Sequence, residues 1–257
     1  MIKAIVFGAA GRMGKEIIAA AGELKDIRII SGIEVKNHEL IGKSIGSVKI
    51  TDNIATFIKK CDCIVDFTNH RAAMDNLQKV KDYKKPAIIG TTGFSDSETA
   101  LIKRWSAKLP IFLSPNMSVG INHLYDLVKN STKILKNFDI EIIETHHRGK
   151  KDSPSGTAKA IARLIKEVRP HTKFISGRLG LTGGKNKHEI CISAIRGGDI
   201  IGEHRVLYLG DGEFVELKHY ATSRRCFALG TIAAMRFIIT KKHGLYTMKD
   251  LPSHYYR

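Results

Sequence analysis

The sequence is 257 residues long, 43% hydrophobic and 26% charged, with a formal net charge of +17. That length can bury a sizeable core in one large or two moderate domains, and the composition is that of an ordinary globular protein rather than a low-complexity one. Lysine and arginine are scattered in runs no longer than pairs and only 7% of residues are aromatic, which argues against a dedicated nucleic-acid surface and for steering of an anionic substrate and cofactor. No apolar stretch approaches the roughly 20 residues of a membrane helix. Met1-Ile2-Lys3 runs straight into an apolar strand without the features of a signal peptide, so the expected location is cytoplasmic with no membrane partner. Cys61, Cys63, Cys191 and Cys226 lack zinc-site spacing and are read as structural, with no metal expected.

Ile2–Phe7 reads as a short apolar strand. Gly8-Ala9-Ala10-Gly11-Arg12-Met13-Gly14 follows, then Met13, Ile17, Ile18, Ala21 and Leu24 at helical spacing. A second apolar strand, Ile27–Ile33, ends at Glu34, 20 residues after Gly14, where the dinucleotide-binding pattern places an acid to hold ribose hydroxyls. The unit predicts a βαβ start with a pyrophosphate on the helix N-terminus. Ala10 stands where the second glycine of G-x-G-x-x-G is usual. The alternation continues through a strand at Cys63–Thr68, a helix at Arg71–Lys81, a strand at Pro86–Ile89, a helix at Ser95–Lys108 and a strand at Ile111–Leu113. In a doubly wound parallel sheet, ligands lie outside the carboxyl ends of the strands. Phe67-Thr68, Gly90-Thr91-Thr92 and Ser114-Pro115-Asn116-Met117 are therefore candidate cofactor loops.

Near Gly120 the pattern changes to a helix at Ile121–Leu135 and then a strand, with Phe138, Ile140 and Ile142 on one face. The stretch Glu144-Thr-His-His-Arg-Gly-Lys-Lys-Asp-Ser-Pro-Ser-Gly-Thr157 joins that strand to a helix marked by Ala158, Ile161, Leu164, Ile165 and Val168. Ser153 is a good N-cap and Pro154 suits the first helical position, which leaves the N–H groups of Ser155, Gly156 and Thr157 as a receptor for a carboxylate or phosphate. His146, His147 and Lys150 directly upstream supply groups for proton transfer and anion binding. Strands at Glu189–Ile195, Ile200–Leu209 and Phe214–Ala221 follow, with one covered face. A nearly all-apolar helix, Cys226–Thr240, is expected to return to the first domain. The expected division is residues 1–117 with 226–257 as a dinucleotide-binding domain, and 118–225 as a second α+β domain for substrate binding and oligomerisation.

The run E-x-H-H-x-x-K-x-D-x-P-S-G-T resembles the signature of the dihydrodipicolinate reductases of lysine biosynthesis. The G-x-x-G-R-M-G form of the glycine loop, Gly90–Gly93, Ser114–Gly120 and the Ile195–His204 run are similar to that family too. The resemblance implies reduction of 4-hydroxy-tetrahydrodipicolinate to tetrahydrodipicolinate by NADH or NADPH, in lysine and diaminopimelate biosynthesis, by a homotetramer built through the second sheet. Lys150 aligns with the family's catalytic lysine and Lys151 fills a variable place. His146 and Lys150 are then the groups that protonate the ring, while His147 and the Ser155–Thr157 amides grip the two carboxylates of a small dicarboxylate. Glu34 favours NADH, Lys36 could meet a 2′-phosphate, and both coenzymes are expected to serve. Two rival readings are another Rossmann oxidoreductase acting on an amino or keto acid, and a nucleotide-binding regulatory protein without catalysis.

Overall fold

A computed structural model describes residues 1–256. It divides them into two compact units: residues 1–119 with 224 onward, and residues 120–223. Unit 1 opens with β1 (Ile2–Phe7), α1 (Arg12–Gly22), β2 (Ile27–Ile33), β3 (Ser44–Ile45), β4 (Val48–Thr51), α2 (Ala55–Ile58), β5 (Cys63–Asp66), α3 (His70–Val80), β6 (Ala87–Ile89), α4 (Asp96–Ser106) and β7 (Pro110–Leu113). Next come α5 (Val119–Ile134), β8 (Asp139–His146), α6 (Gly156–Val168), β9 (Lys173–Ile175), β10 (Glu189–Arg196), β11 (Gly202–Leu209) and β12 (Phe214–Ala221). Helix α7 (Arg225–Ile238) and β13 (Gly244–Tyr246) belong to unit 1 again.

Unit 1 is an α/β unit around an eight-stranded sheet in the order β13-β7-β6-β5-β1-β2-β4-β3. Every neighbouring pair is parallel except β3 with β4. The winding reverses between β1 and β5, which opens a crevice at their carboxyl ends, where a doubly wound sheet binds ligands. The central strands read as continuous apolar runs because both faces are covered: Ala4, Ile5, Val6, Ile64 and Val65 are fully buried. Helix α7 is packed almost all round, as its composition predicts. The short β3, β4 and α2 have no counterpart among the predicted elements; two to four residues carry too little periodicity to read.

Unit 2 carries a five-stranded mixed sheet, β12-β11-β8-β10-β9. Strands β8, β10 and β9 run parallel, while β8, β11 and β12 alternate in direction. One face is covered by Ile121, Leu124 and Val128 of α5 and Ala158, Ile161 and Ile165 of α6. Each isoleucine so buried contributes about 1.5–3 kcal/mol. Two boundaries differ from the sequence reading, and both matter for the site. Strand β8 continues to His146 with strict alternation of burial, so Glu144 and His146 share the covered face with Ile140 and Ile142. Helix α6 starts at Gly156, capped by Ser155 and not by Ser153: the Ser155 hydroxyl accepts from Ala158 N–H at 3.2 Å. The reason is tertiary, since partners distant in sequence hold the N–H and the hydroxyl of Ser155 and fix it as the turn's last non-helical residue.

Candidate active site

In unit 1, Gly8 leaves β1 with φ +72, a conformation that favours glycine. Helix α1 then packs onto the loop so closely that a Cβ on Gly14 would lie 2.3 Å from the Gly8 carbonyl oxygen and 2.6 Å from Ala9 Cα. Gly11 caps α1 in extended conformation with no side-chain hydrogen bond. Glycine at the cap brings no side chain of its own to the first-turn N–H groups, which lie at the positive end of the helix dipole. Glu34, just after β2, accepts the Ala10 N–H at 2.7 Å, so the acid expected at the ribose also shapes the glycine loop. A cavity of about 390 Å³ is lined by Gly8, Glu34, Lys36, Thr68, Asn76 and Lys79, among others. Together these features fit a dinucleotide: a pyrophosphate at the α1 mouth, an acid and lysines beside the ribose.

The neighbouring loops are fastened by Asp66, a fully buried carboxylate at the end of β5. It accepts from Thr68 N–H at 2.9 Å, Thr68 O–H at 2.6 Å, Thr91 O–H at 2.8 Å and the Asn76 amide at 2.8 Å. The Phe67 ring lies where a side chain on Gly90 would be, 2.1 Å from its ideal Cβ. Farther along, the Ser114 hydroxyl donates to the Asn116 carbonyl at 2.8 Å and the Asn116 side chain accepts from Ser118 N–H at 2.9 Å. Pro115 and Thr92 are exposed, whereas Ala9 and Met117 lie in the core.

In unit 2, the fully buried Glu144 carboxylate gathers four donors. Oε2 takes His146 Nδ1 at 2.5 Å and an Arg196 nitrogen at 2.8 Å; Oε1 takes the other Arg196 nitrogen at 2.7 Å and Ser155 N–H at 3.1 Å. Burial pushes the Glu144 carboxyl upward, but the hydrogen bonds from His146 and Arg196 outweigh it and bring it down to about 2. Glu144 is thus ionised at neutral pH, and His146 must present its Nδ1 proton to it, which leaves Nε2 as the atom available for chemistry. His204 stands edge-on to His146, ring centroids 5.1 Å apart, and its Nε2 meets the Ser155 hydroxyl at 3.1 Å. Burial, with the nearby charge of His146, lowers His204 to about 3 and keeps it neutral. A Cβ on Gly202 would sit 3.1 Å from His146 Nε2, so glycine there leaves the ring its place.

The connection after β8 is pinned at the main chain: Gly197 N–H donates to the His146 carbonyl at 3.0 Å and Arg148 N–H to the Gly198 carbonyl at 3.2 Å. Lys150 Nζ reaches Asp152 Oδ1 at 2.7 Å. The half-buried His147 follows His146 directly. Gly156 and Thr157 open α6, where no helical carbonyl can reach their N–H groups. The arrangement offers an oriented imidazole at the end of β8, an ammonium group in the loop after it and an anion receptor at the helix that the loop enters.

A family model described as "Dihydrodipicolinate reductase, N-terminus" matches residues 2–117, and one described as "Dihydrodipicolinate reductase, C-terminus" matches residues 120–251. The chain belongs to the dihydrodipicolinate reductase family. It is 39% identical to the 4-hydroxy-tetrahydrodipicolinate reductase of Geotalea daltonii over 98% of both chains, and 38% identical to that of Campylobacter concisus over 97% of this chain and 98% of the other. The fold is shared with a dipicolinate-bound dihydrodipicolinate reductase from Paenisporosarcina sp. TG-14, at a TM-score of 0.79 and 24% identity over 98% of this chain and all of that one. An amine dehydrogenase from Mycobacterium smegmatis has the same general fold, at a TM-score of 0.66 and 11% identity over 98% of this chain and 96% of the other.

The sequence reading placed His146, Lys150, Ser155, Gly156 and Thr157 in one connection, which the structure divides among the end of β8, the loop after it and the start of α6; of its cofactor residues, Gly8, Glu34 and Thr68 line one cavity, and Ala9–Met13 are not among the lining residues. One of its three anion-binding amides is already engaged, since Ser155 N–H goes to Glu144. The reading missed Glu144, Asp66, Arg196 and His204 as site residues. For Glu144 the signal was present: extending the period-two alternation from Ile140 and Ile142 puts it, then His146, on the covered face. Arg196 and His204 fall inside the Ile195–His204 run, which the resemblance singled out without a role.

Proposed function

We propose that the chain reduces 4-hydroxy-tetrahydrodipicolinate to tetrahydrodipicolinate with NADH or NADPH, a step of lysine and diaminopimelate biosynthesis. The observation that carries the reading is the Glu144-oriented His146 beside Lys150 and the mouth of α6, all in the unit matched by the family's C-terminal model. The net change adds a hydride and a proton to the ring and releases water. Bound NADH or NADPH supplies the hydride. The α1 mouth with Gly8, Ala9, Ala10, Gly11, Arg12 and Met13 holds the pyrophosphate, and Glu34 the ribose. The loops at Phe67-Thr68, Gly90–Thr92 and Ser114–Met117 border the rest of the dinucleotide, Ala9 and Met117 through main-chain atoms.

In unit 2 the amides of Gly156 and Thr157 receive one ring carboxylate, as a helix N-terminus receives anions. His147 meets the other. His146 and Lys150 stabilise the electron density that hydride addition creates and deliver the proton. Dipicolinate, the ligand named for the Paenisporosarcina enzyme, is a ring dicarboxylate of the shape this receptor suits. The test is loss of NADH absorbance when the aldol product of pyruvate and aspartate semialdehyde is supplied. Absence of turnover with either coenzyme would remove the reading. A homotetramer formed through the uncovered face of the second sheet belongs to the same proposal: Ile195 is 51%, Phe214 63% and Tyr220 47% exposed in the single chain. A single monomer mass by light scattering would exclude it.

A further inference from the structure

We propose that Arg196 is a positioning residue that holds both proton-handling side chains of the site, His146 through Glu144 and Lys150 through Asp152. The inference rests on the reductase reading above and deepens it. Arg196 ends β10, and the parallel register places it directly beside His146 of β8. One guanidinium nitrogen donates to Glu144 Oε2 at 2.8 Å and to the Ile195 carbonyl at 2.7 Å. The other donates to Glu144 Oε1 at 2.7 Å and to the Asp152 carbonyl at 2.8 Å. Glu144 then fixes His146 at Nδ1, 2.5 Å away, and the Asp152 side chain fixes Lys150 Nζ, 2.7 Å away. A flat, forked cation suits this task, because a planar carboxylate accepts two parallel N–H bonds from it.

The fork also sets the balance of charge. Around His146 are Glu144 on its own strand, Arg196 paired beside it on β10, His204 on β11 and Asp152 on the following loop, while Lys150 is held at Asp152 and its charge is felt by His204. Glu144 alone would be a buried negative charge whose nearest cation is the protonated imidazole, and it would hold that proton in place. With Arg196 bound in two-pronged fashion, the carboxylate is already neutralised. It can orient His146 by the Nδ1 bond without retaining the proton that Nε2 has to give up.

The experiment compares the wild-type enzyme with Arg196→Met and Arg196→Lys by kcat and KM across neutral pH. In Arg196→Met we expect kcat to fall about 10- to 100-fold, as for loss of a partner that orients a functional group. KM for NADH should not change, and the alkaline limb of the kcat profile should move to higher pH. Arg196→Lys, which restores the charge but not the fork, should return the limb to its wild-type place with kcat in between. A limb that does not move in Arg196→Met overturns the proposal, whether or not kcat falls, because a merely structural residue would leave it in place. If Arg196→Met does not fold, Arg196→Gln keeps a donor toward Glu144 without the charge and is read the same way. A wild-type chain that consumes neither NADH nor NADPH would sink the reductase reading instead. The titration of the His146 ring nitrogens by NMR, which needs no turnover, then carries the same comparison between wild type and variants.

Discussion

Two helix starts in this molecule do related work by different means. The start of α1 is shaped by main chain: by Gly8 at φ +72, by the close approach at Gly14 and by a Gly11 cap without a side-chain bond. At α6 the cap is a serine whose hydroxyl meets His204 and whose N–H meets Glu144, and Glu144 is in turn tied to Arg196 and His146. In the proposed function the first start meets an anion that the protein only has to bind. The second stands beside the groups proposed to exchange protons, and its surroundings fix charge and tautomer. A glycine turn can be spelled in seven consecutive residues, whereas a buried polar network must collect its members from separate strands.

The sharpest way to break the α6 side is Glu144→Gln. The amide turns a donor toward His146 Nδ1 and so forces the opposite tautomer; in the serine-protease triad the analogous change costs on the order of 10⁴ in kcat. NADH binding, measured by fluorescence, should survive, since the substitution lies in unit 2. A Glu144→Gln enzyme with wild-type turnover would refute the orientation argument. Next in size, Lys150→Ala should lower kcat by about 10²–10⁴-fold, the range for a lost proton-transfer group, while Lys151→Ala, at an exposed position, should leave it near wild type. Equal effects of the two would put the ammonium role on the wrong lysine.

The matching test of the α1 side is Gly14→Ala. The added methyl meets the Gly8 carbonyl and the Ala9 backbone, which no side-chain rotation can relieve. Overpacking of this kind costs about 1–3 kcal/mol. The change should weaken NADH binding in calorimetry and leave the binding of a ring dicarboxylate intact. Loss of dicarboxylate binding with NADH binding preserved would invert the assignment of the two starts.

Legibility in the sequence follows the same division. The unit 1 architecture could be read because parallel strands buried on both faces are continuous apolar runs, and because Gly8, Gly11, Gly14 and Glu34 sit at fixed offsets along the chain. In unit 2, His146, Lys150 and the serine-glycine helix start were equally local. The N-cap was misplaced from Ser155 to Ser153 because local capping preference cannot see a histidine 49 residues away. Arg196, 52 residues from Glu144, is beyond any local rule for the same reason: a charge comes to be buried where a partner from another strand compensates it. Asp66 was within reach, since a carboxylate at the end of a continuous apolar strand must find donors in the loops around it.

The comparison can be sharpened most gently with acid. His204 is held far below its usual value, chiefly by burial, and burial also lowers the half-buried His219; both are in unit 2. A histidine with a lowered pKa in the folded state binds fewer protons than the unfolded chain, so stability declines as pH falls below about 6.5, by at most about 1.4 kcal/mol per pH unit for each such group. The lowered groups of unit 1 include Glu23 and Asp26, held by hydrogen bonds from Arg225 and Arg236, and Glu98, held by the Ser95 N–H. For a carboxylate so lowered, stability is present above its unfolded value and is lost only as pH falls from the ordinary carboxylate range downward. Between pH 6.5 and 4.5, therefore, amides of β8, α6 and β11 should lose hydrogen-exchange protection, corrected for intrinsic rates, while those of β1 and β5 keep theirs. His204→Gln, which can still reach the Ser155 hydroxyl but does not titrate in that window, should flatten the loss in unit 2. Parallel loss in both units, unchanged by the substitution, would mean that the acid response is a property of the whole chain and not of the network behind α6.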